Sequence, residues 1–572
     1  MQGGSVRFAV RCTRAIALLW VVAGLSACGT GNQQPVASVS TNSLSFSATS
    51  PDATTPSPLT ISASVSPGTV SVAVLHGGSA IANATYTLSG TAAQIVVDPA
   101  APSALGAGVF HGTITVTGYS CGNPGCSQLV SGNSQVINVT YDIPPIVRYV
   151  APYVGVATGS PLTASGSVII CGQGFEQFPV QNVTFNGVSA STFSVVSDTE
   201  IEASYSLTLP TGSTYPVTYP VQIVAPSSPQ PIESDAKLVI VQAPSYVSTT
   251  LPYPPSVTGV DQLRYDAERQ ALLVVATTGS GTELLRYAYS SGSWNTTPAT
   301  VSSATLPSLA NLSDIALSTQ GGELLALSPQ YLTELDPGTL AIKTQYTPGP
   351  TLAPAGVDLK NLAVANDGNA IVTTTTGNGS SASTPLYLFA ARNPAFTQNS
   401  TTPSLDNATP GASADGSVVA LQQGDPSLTS APSVYQYTAS SEAFASTAAA
   451  INQGTIAPAL DQSATRIVLN GTDVYDSSFT LLGTLLPTST TLAVVVSPNA
   501  DCAYTFDSSG QILAFNLITS MSGGPFPQVG ATSVSNPGTS GAVKMAISPD
   551  GGTLFLAGSS QIVVAPAPTQ CH

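Results

Sequence analysis

Met545-Ala546-Ile547-Ser548-Pro549-Asp550-Gly551-Gly552-Thr553-Leu554-Phe555-Leu556 is one copy of a unit that recurs through the second half of the chain. It is an apolar run, a polar turn at Asp550-Gly551, and a second apolar run. Asp-Gly supplies the backbone freedom of a tight turn, and short apolar runs bounded by Gly, Pro, Asn and Ser read as strands. The pattern returns in Leu263–Val274, Ile315–Leu327, Leu362–Val372, Ala412–Ala420, Pro458–Leu469 and Leu492–Phe506. With Asp266 and Asp550 as outer landmarks, six intervals average about 47 residues, the period of a four-stranded blade. Asp266 to Gln320 is a long interval and Gln462 to Asn499 a short one. Seven units predict a seven-bladed β-propeller over residues 257–572.

Helical periodicity is almost absent upstream as well, so the whole chain reads as all-β. Pro-rich seams near Asp142-Ile143-Pro144-Pro145 and across Ala243–Ser256 divide it further, and 243–256 reads as a linker. Residues 36–143 hold runs such as Leu59-Thr60-Ile61-Ser62-Ala63-Ser64-Val65, which alternate at period two. One face of such a strand packs inward and the other is wet. About seven such strands in ~100 residues predict an immunoglobulin-like β-sandwich.

Residues 144–242 carry Pro152, Gly159, Gly172-Gln173-Gly174-Phe175, Val183-Thr184-Phe185-Asn186-Gly187, Phe193 and Val195–Ile201. This set resembles the TIG/IPT immunoglobulin-like family along nearly the whole region. The resemblance implies a second sandwich, with Phe175 in its core and Asn186-Gly187 at a hairpin turn. It also implies an extracellular spacer or adhesive module. Ser548-Pro549-Asp550-Gly551 with its following strand resembles the hairpin of YVTN-type and TolB-type propellers.

At the start of the chain, Arg7, Arg11 and Arg14 precede the apolar run Ala15–Gly24 and then Leu25-Ser26-Ala27-Cys28. That is the layout of a secretory signal peptide, and the run is short of the ~20 apolar residues that span a bilayer. Leu-Ser-Ala-Cys resembles the lipobox of bacterial lipoproteins. The resemblance implies cleavage after residue 27, acylation of Cys28, and a tether over 28–35. Gly29 stands where inner-membrane lipoproteins of enteric bacteria often carry Asp, so the outer membrane is the implied destination, with the chain facing the periplasm or the surface. An ordinary signal peptide that happens to hold a cysteine is the alternative.

Only 7% of residues are charged while 42% are hydrophobic, enough apolar material for several cores. Beyond residue 27, ten basic residues face 29 acidic ones. Affinity for a phosphate backbone comes largely from Lys and Arg, so nucleic acid is excluded as a partner.

Seven cysteines are present. Cys121 and Cys126 bracket Gly122-Asn123-Pro124-Gly125, a turn that brings two sulfurs together, and an oxidising compartment favours the disulfide. A C-x4-C metal half-site is the other reading of this pair, although no second pair lies near. Cys502 and Cys571 are a second candidate disulfide if the last two repeats adjoin. Cys171 is left as a buried apolar residue.

Catalytic constellations are scarce. The three histidines, His76, His111 and His572, lie outside the propeller body. Gly118-Tyr119-Ser120-Cys121-Gly122 fits G-x-S-x-G, but that elbow needs a strand-to-helix turn and Asp and His partners. Glu200 and Glu202 share one strand face, read as solvated. Asp367, Asp415 and Asp550 precede glycines in turns, where Asp stabilises the turn itself. Tyr287, Tyr289 and Trp294 read as blade packing rather than a sugar platform. No catalytic residue, metal ligand or cofactor is assigned.

The expectation is a non-enzymatic, lipid-anchored envelope protein whose propeller is a platform for an envelope protein or glycan. A surface adhesin is one alternative. A propeller enzyme, lactonase-like or a polysaccharide-acting hydrolase or lyase, is the other. The enzyme reading requires three or more of Asp261, Asp314, Asp358, Asp461 and Asp507 to converge on one channel mouth.

Overall fold

The computed structural model of the chain describes residues 37–66, 69–121, 128–210, 212–224, 232, 234, 236–302, 311–349, 356–376, 384–390, 394–398, 407–423, 434–446, 456–518, 523–539 and 541–568. Cys28, Cys126, Cys571 and His572 lie outside them. Cys121 and Cys502 are each disulfide-bonded, and Cys171 is free and buried. Helix is scarce: Pro102–Leu105 and Ala439–Ser441 are helical. None of the described helices is long and apolar enough to cross a membrane. Two compact units divide the chain: one holds residues 1–44, 57–98 and 112–139, the other 45–56, 99–111 and 140–572.

In the first sandwich, one sheet runs Ala37–Val39, Leu59–Val65, Ala92–Pro99, Ile81–Ser89 in spatial order, and the other Ser43–Ser47, Leu129–Ile143, Gly108–Cys121, Thr69–Gly78. With Ala37–Val39 and Ser43–Ser47 counted as one split first strand, that is the immunoglobulin arrangement, in which the second and fifth strands pair in one sheet and the third, sixth and seventh form the other. The alternation is expressed as expected: Ile61, Ala63 and Val65 are buried and their neighbours exposed.

Residues 146–242 fold as a second sandwich of the same kind, with Ile146–Ala151, Thr163–Gln173, Glu200–Thr208 and Thr192–Ser197 on one side. The other side runs Val188–Ser189, Asn182–Phe185, Val217–Val224, Lys237–Gln242, Val154–Thr158. Phe175 is buried in its core. Asn186 and Gly187 have φ of 50° and 80°, both positive as a type I′ hairpin requires.

Seven antiparallel sheets follow, six of four strands and the first of five, with inner strands Val257–Asp266, Asp314–Leu317, Val357–Val364, Thr409–Ala412, Ala459–Leu460, Thr491–Val496 and Lys544–Ile547. Each inner strand touches the next, and the seventh touches the first, so the sheets are blades 1 to 7 of a closed ring. Every pair of neighbouring blades shares one apolar cluster. In Ala271–Thr278, Leu272, Val274 and Ala276 face blade 7, whereas Leu273 and Val275 face blade 2. A strand buried on both faces reads as a continuous apolar run, which is why Leu272–Ala276 shows no alternation.

The ring closes on a segment the sequence did not offer. Thr249–Pro252, inside the stretch expected to be a linker, pairs antiparallel with Gln561–Pro566 and forms the outer strand of blade 7. Leu251 is buried there against the cluster that holds Trp294 and Phe555. The uneven repeat intervals also have structural causes. Blade 1 carries the extra strand Ser293–Trp294, while the strands of blade 5 are only two to four residues long.

The hairpin between first and second strands is built alike in most blades. In blade 7, Ser548 N–H donates to Thr553 O at 2.9 Å, and Thr553 N–H donates to Ser548 Oγ at 2.9 Å. Ser318, Ser413 and Ser497 do the same with Glu323, Val418 and Cys502. In blade 5 Asp461 takes the serine's place, its carboxylate accepting Arg466 N–H at 2.6 Å. The fourth residue of these turns has positive φ: Gly321, Gly368, Gly416 and Gly551, but Ala464 and Ala500 in blades 5 and 6.

Candidate functional site

These seven hairpins form one end of the propeller, and the second sandwich docks on them. Gln320 Nε2 donates to Val150 O at 2.7 Å, and Lys237 N–H donates to Gln320 Oε1 at 3.0 Å. The Lys237 ammonium lies 3.4 Å from Glu268, and Arg269 pairs with both Glu268 and the buried Asp266. Tyr153 is half-buried beside this network; desolvation drives its hydroxyl pKa far up, with Asp266 and Glu268 adding to the shift. A Cβ on Gly321 would come within 2.0 Å of the Tyr153 hydroxyl, and one on Gly368 within 2.6 Å of that of Tyr149. Glycine is therefore required twice at these turns, for positive φ and for the approach of a tyrosine.

Three acids face this joint. Glu200, expected on a solvated face, is half-buried, and burial raises its pKa, with Glu202 and Asp415 adding to the shift. Burial also raises Asp415 and pushes Asp367 up to about 6, although Tyr437 and Asn369 donate to it. A cavity of about 410 Å3 lies between sandwich and hairpins. It shares Tyr265, Leu317, Val364, Ser413, Ala414 and Ile547 with the wall of the central channel. The sandwich thus stands over one end of the channel.

The channel is a cavity of about 880 Å3 lined by the inner strands of all seven blades. That lies within the range of ~300–1,000 Å3 typical of small-molecule sites. Its other end is where the inner strands begin. Four residues before the turn's first residue, each unit contributes to the lining: Gln262, Asp314, Asn361, Thr409, Ala457, Ala493 and Lys544. The ring is therefore polar from blade 7 through blade 4 and apolar at blades 5 and 6.

Of the five acids on which the enzyme reading depended, Asp261 and Asp314 line the channel. Asp314 is committed to structure. It accepts from Gln262 Nε2 at 2.7 Å, from Ile315 N–H at 2.8 Å and from Leu362 N–H at 2.9 Å, and pairs with Arg264 at 3.3 Å, tying blade 2 to blades 1 and 3. Asp461 and Asp507 accept backbone N–H groups in their own hairpins. Asp358 sits on the third inner strand, outside the channel lining. Two acids, one of them neutralised, do not make an acid–base pair. No cluster of three or more His, Cys, Asp or Glu suited to a metal occurs among the described residues.

The other sequence candidates are placed apart. His76 and His111 are exposed on strands of the first sandwich. Gly118–Cys121 continues a strand, with no turn into a helix. Tyr287 and Trp294 are buried, and Trp294 packs against Tyr246 and Tyr289 at centroid distances of 5.0 and 5.3 Å. The basic residues of the open end escaped the sequence reading. Arg264, Lys360 and Lys544 are three of the ten beyond residue 27, and all lie there. Each lies on the first strand of its repeat, and that was the available signal.

No family model matches the chain, and no curated protein matches it either. Among solved structures it is similar to the WD40 repeats of RRP9, with a TM-score of 0.40, 11% identity, and coverage of 56% of this chain and 97% of that one. It is likewise similar to U3-55K, with a TM-score of 0.38, 10% identity, and coverage of 56% and 98%. The propeller rests on its own strand pairing and closure.

Proposed function

We propose that this chain is a lipid-anchored protein of the bacterial cell envelope, without catalytic activity, whose propeller is an interaction platform. Cys28 holds it to the membrane, by outer-membrane sorting, and two sandwiches, the second of TIG/IPT type, carry a propeller of YVTN or TolB type. One observation carries the platform reading: the second sandwich covers the hairpin end of the channel, which leaves the opposite end and its charged rim for a partner. The commitment of Asp314 to backbone N–H groups and to Arg264 argues for binding over chemistry, and the composition argues against nucleic acid. The partner is an envelope protein or glycan.

Detergent-phase partitioning of the wild type against Cys28→Ala tests the anchor. The wild type is expected in the detergent phase and the variant in the aqueous phase; equal partitioning would refute the anchor. Capture by the full-length protein from envelope extracts, with protein and glycan read separately, tests the platform. No enrichment over a Cys28-anchored sandwich-only control would refute it.

A further inference from the structure

The open end of the channel is amphipathic. One arc carries charge: Lys544 on blade 7, Asp261 and Arg264 on blade 1 and Asp314 on blade 2 line the channel, and Lys360 on blade 3 lines an adjoining cavity of about 380 Å3 that shares Asp261, Asn361, Thr409 and Lys544 with it. The opposite arc is apolar, with Ile456, Ala457, Pro458 and Leu460 from blade 5 and Ala493 and Val495 from blade 6.

The charges do not cancel. Arg264 is spent on Asp314 at 3.3 Å and on Gln262 Oε1 at 2.8 Å. Asp261 accepts from Thr277 Oγ1 at 2.6 Å. The side chains of Lys544 and Lys360 make no ion pair or hydrogen bond with any described residue. The rim is therefore left with two ammonium groups against one carboxylate, in a chain whose net charge is −16. Burial lowers the Lys544 pKa, with Asp314 opposing and Arg264 adding to the shift, then Asp261 opposing and Lys360 adding. A half-buried ammonium without a partner gains from an incoming anion, because a charge-assisted hydrogen bond is strongest away from bulk water. The apolar arc gains from an incoming hydrocarbon body.

We propose that the open channel binds a small amphipathic carboxylic acid, its head on Lys544 and Lys360 and its apolar body along blades 5 and 6. This rests on the reading of the propeller as a binding platform and assigns that platform a small-molecule ligand. A phosphate head would meet the same ammonium groups, so both heads belong in the test.

The probes are decanoate, decyl phosphate, decanol and acetate, titrated calorimetrically into the full mature chain below their micelle concentrations. Decanoate is expected to bind with micromolar to low-millimolar affinity. Decanol and acetate are each expected to bind at least tenfold more weakly, because each lacks one half of the complement. Lys544→Met is expected to weaken decanoate at least tenfold, and Lys360→Met by a smaller factor; the latter decides the matter if the former fails to fold. Equal binding of decanoate and decanol, or unchanged affinity in the folded lysine variants, would overturn the proposal, as would no heat at any concentration. Tighter binding of decyl phosphate than decanoate would overturn the carboxylate and keep only the site. Capture of an envelope partner without decanoate binding would leave the platform standing and remove this ligand.

Discussion

The two ends of the propeller channel are built from the same seven inner strands, yet they are finished differently. At the hairpin end, serine hydroxyls and aspartates answer the turn's own N–H groups, and two tyrosines of the second sandwich press onto turn glycines. At the opposite end, Lys544 and Lys360 answer nothing within the described residues. Satisfied polar groups hold a structure together, whereas an unanswered, half-buried charge is a cost that a fold keeps where a ligand relieves it. The difference separates a joint from a site.

The sharpest way to break the comparison is to loosen the joint alone. Gly321→Ala places a methyl group where the Tyr153 hydroxyl lies and strains a residue at φ 64°. We expect roughly 3 kcal/mol of lost stability, from overpacking and left-handed backbone together. Gly510→Ala, at φ 84° with no atom within 4 Å of its added Cβ, is the control. It should lose only about 1 kcal/mol. Urea unfolding measures both, and protease cleavage near the exposed Val247 should rise in Gly321→Ala alone. Equal losses in the two variants would mean that the sandwich does not press on the hairpin. Decanoate binding at the far end should survive either change.

A second test uses pH. Burial holds the folded Asp367 pKa at about 6, whereas an unfolded aspartate titrates near ~3.9. The folded state therefore keeps its proton longer, so this residue's contribution is full below pH ~4 and is lost as pH rises to about 6. The loss is up to roughly 3 kcal/mol. Asp367→Asn should flatten the fall of the urea midpoint between those pH values. Asp415 and Glu200, also raised, leave a residual slope. An unaltered slope would place Asp367 in contact with water.

The smallest effect is expected at Ala500, which holds the turn position of positive φ (63°) that glycine fills in blades 2, 3, 4 and 7. Ala500→Gly relieves the left-handed strain and gives back part of that gain as unfolded-state entropy. A gain of about 0.5 kcal/mol should appear as a small rise in thermal midpoint. A drop would show that the methyl group packs usefully.

Much of this architecture was legible because it is local. The Asp-Gly turns, the strand pairs beside them and Asn186-Gly187 each carry their reason within a few residues. The closing strand was not, since Thr249–Pro252 is short and runs into Pro252, Pro254 and Pro255, the composition of a connector. An edge strand tolerates proline, as Pro410 in the inner strand of blade 4 also shows. The joint was hidden for a different reason. Gln320 and Val150 meet across 170 residues, and no periodicity in either segment announces the other. The rim was hidden likewise, because Lys544 and Lys360 come near each other only once the seventh blade has returned to the first.

That return sets a timetable. Leu251 leaves the ribosome more than 300 residues before Ile562, its register partner. Until the last segment arrives, blades 1 and 7 each present a bare apolar face and an unpaired strand edge, a template for aggregation. Removing the final strand, Gln561–Pro566, would leave the first six blades with their local pairings but strip the circle of its clasp. A chain that emerges from its first residue onward must stay soluble with that clasp undone, so its last few dozen residues decide whether it folds or clumps.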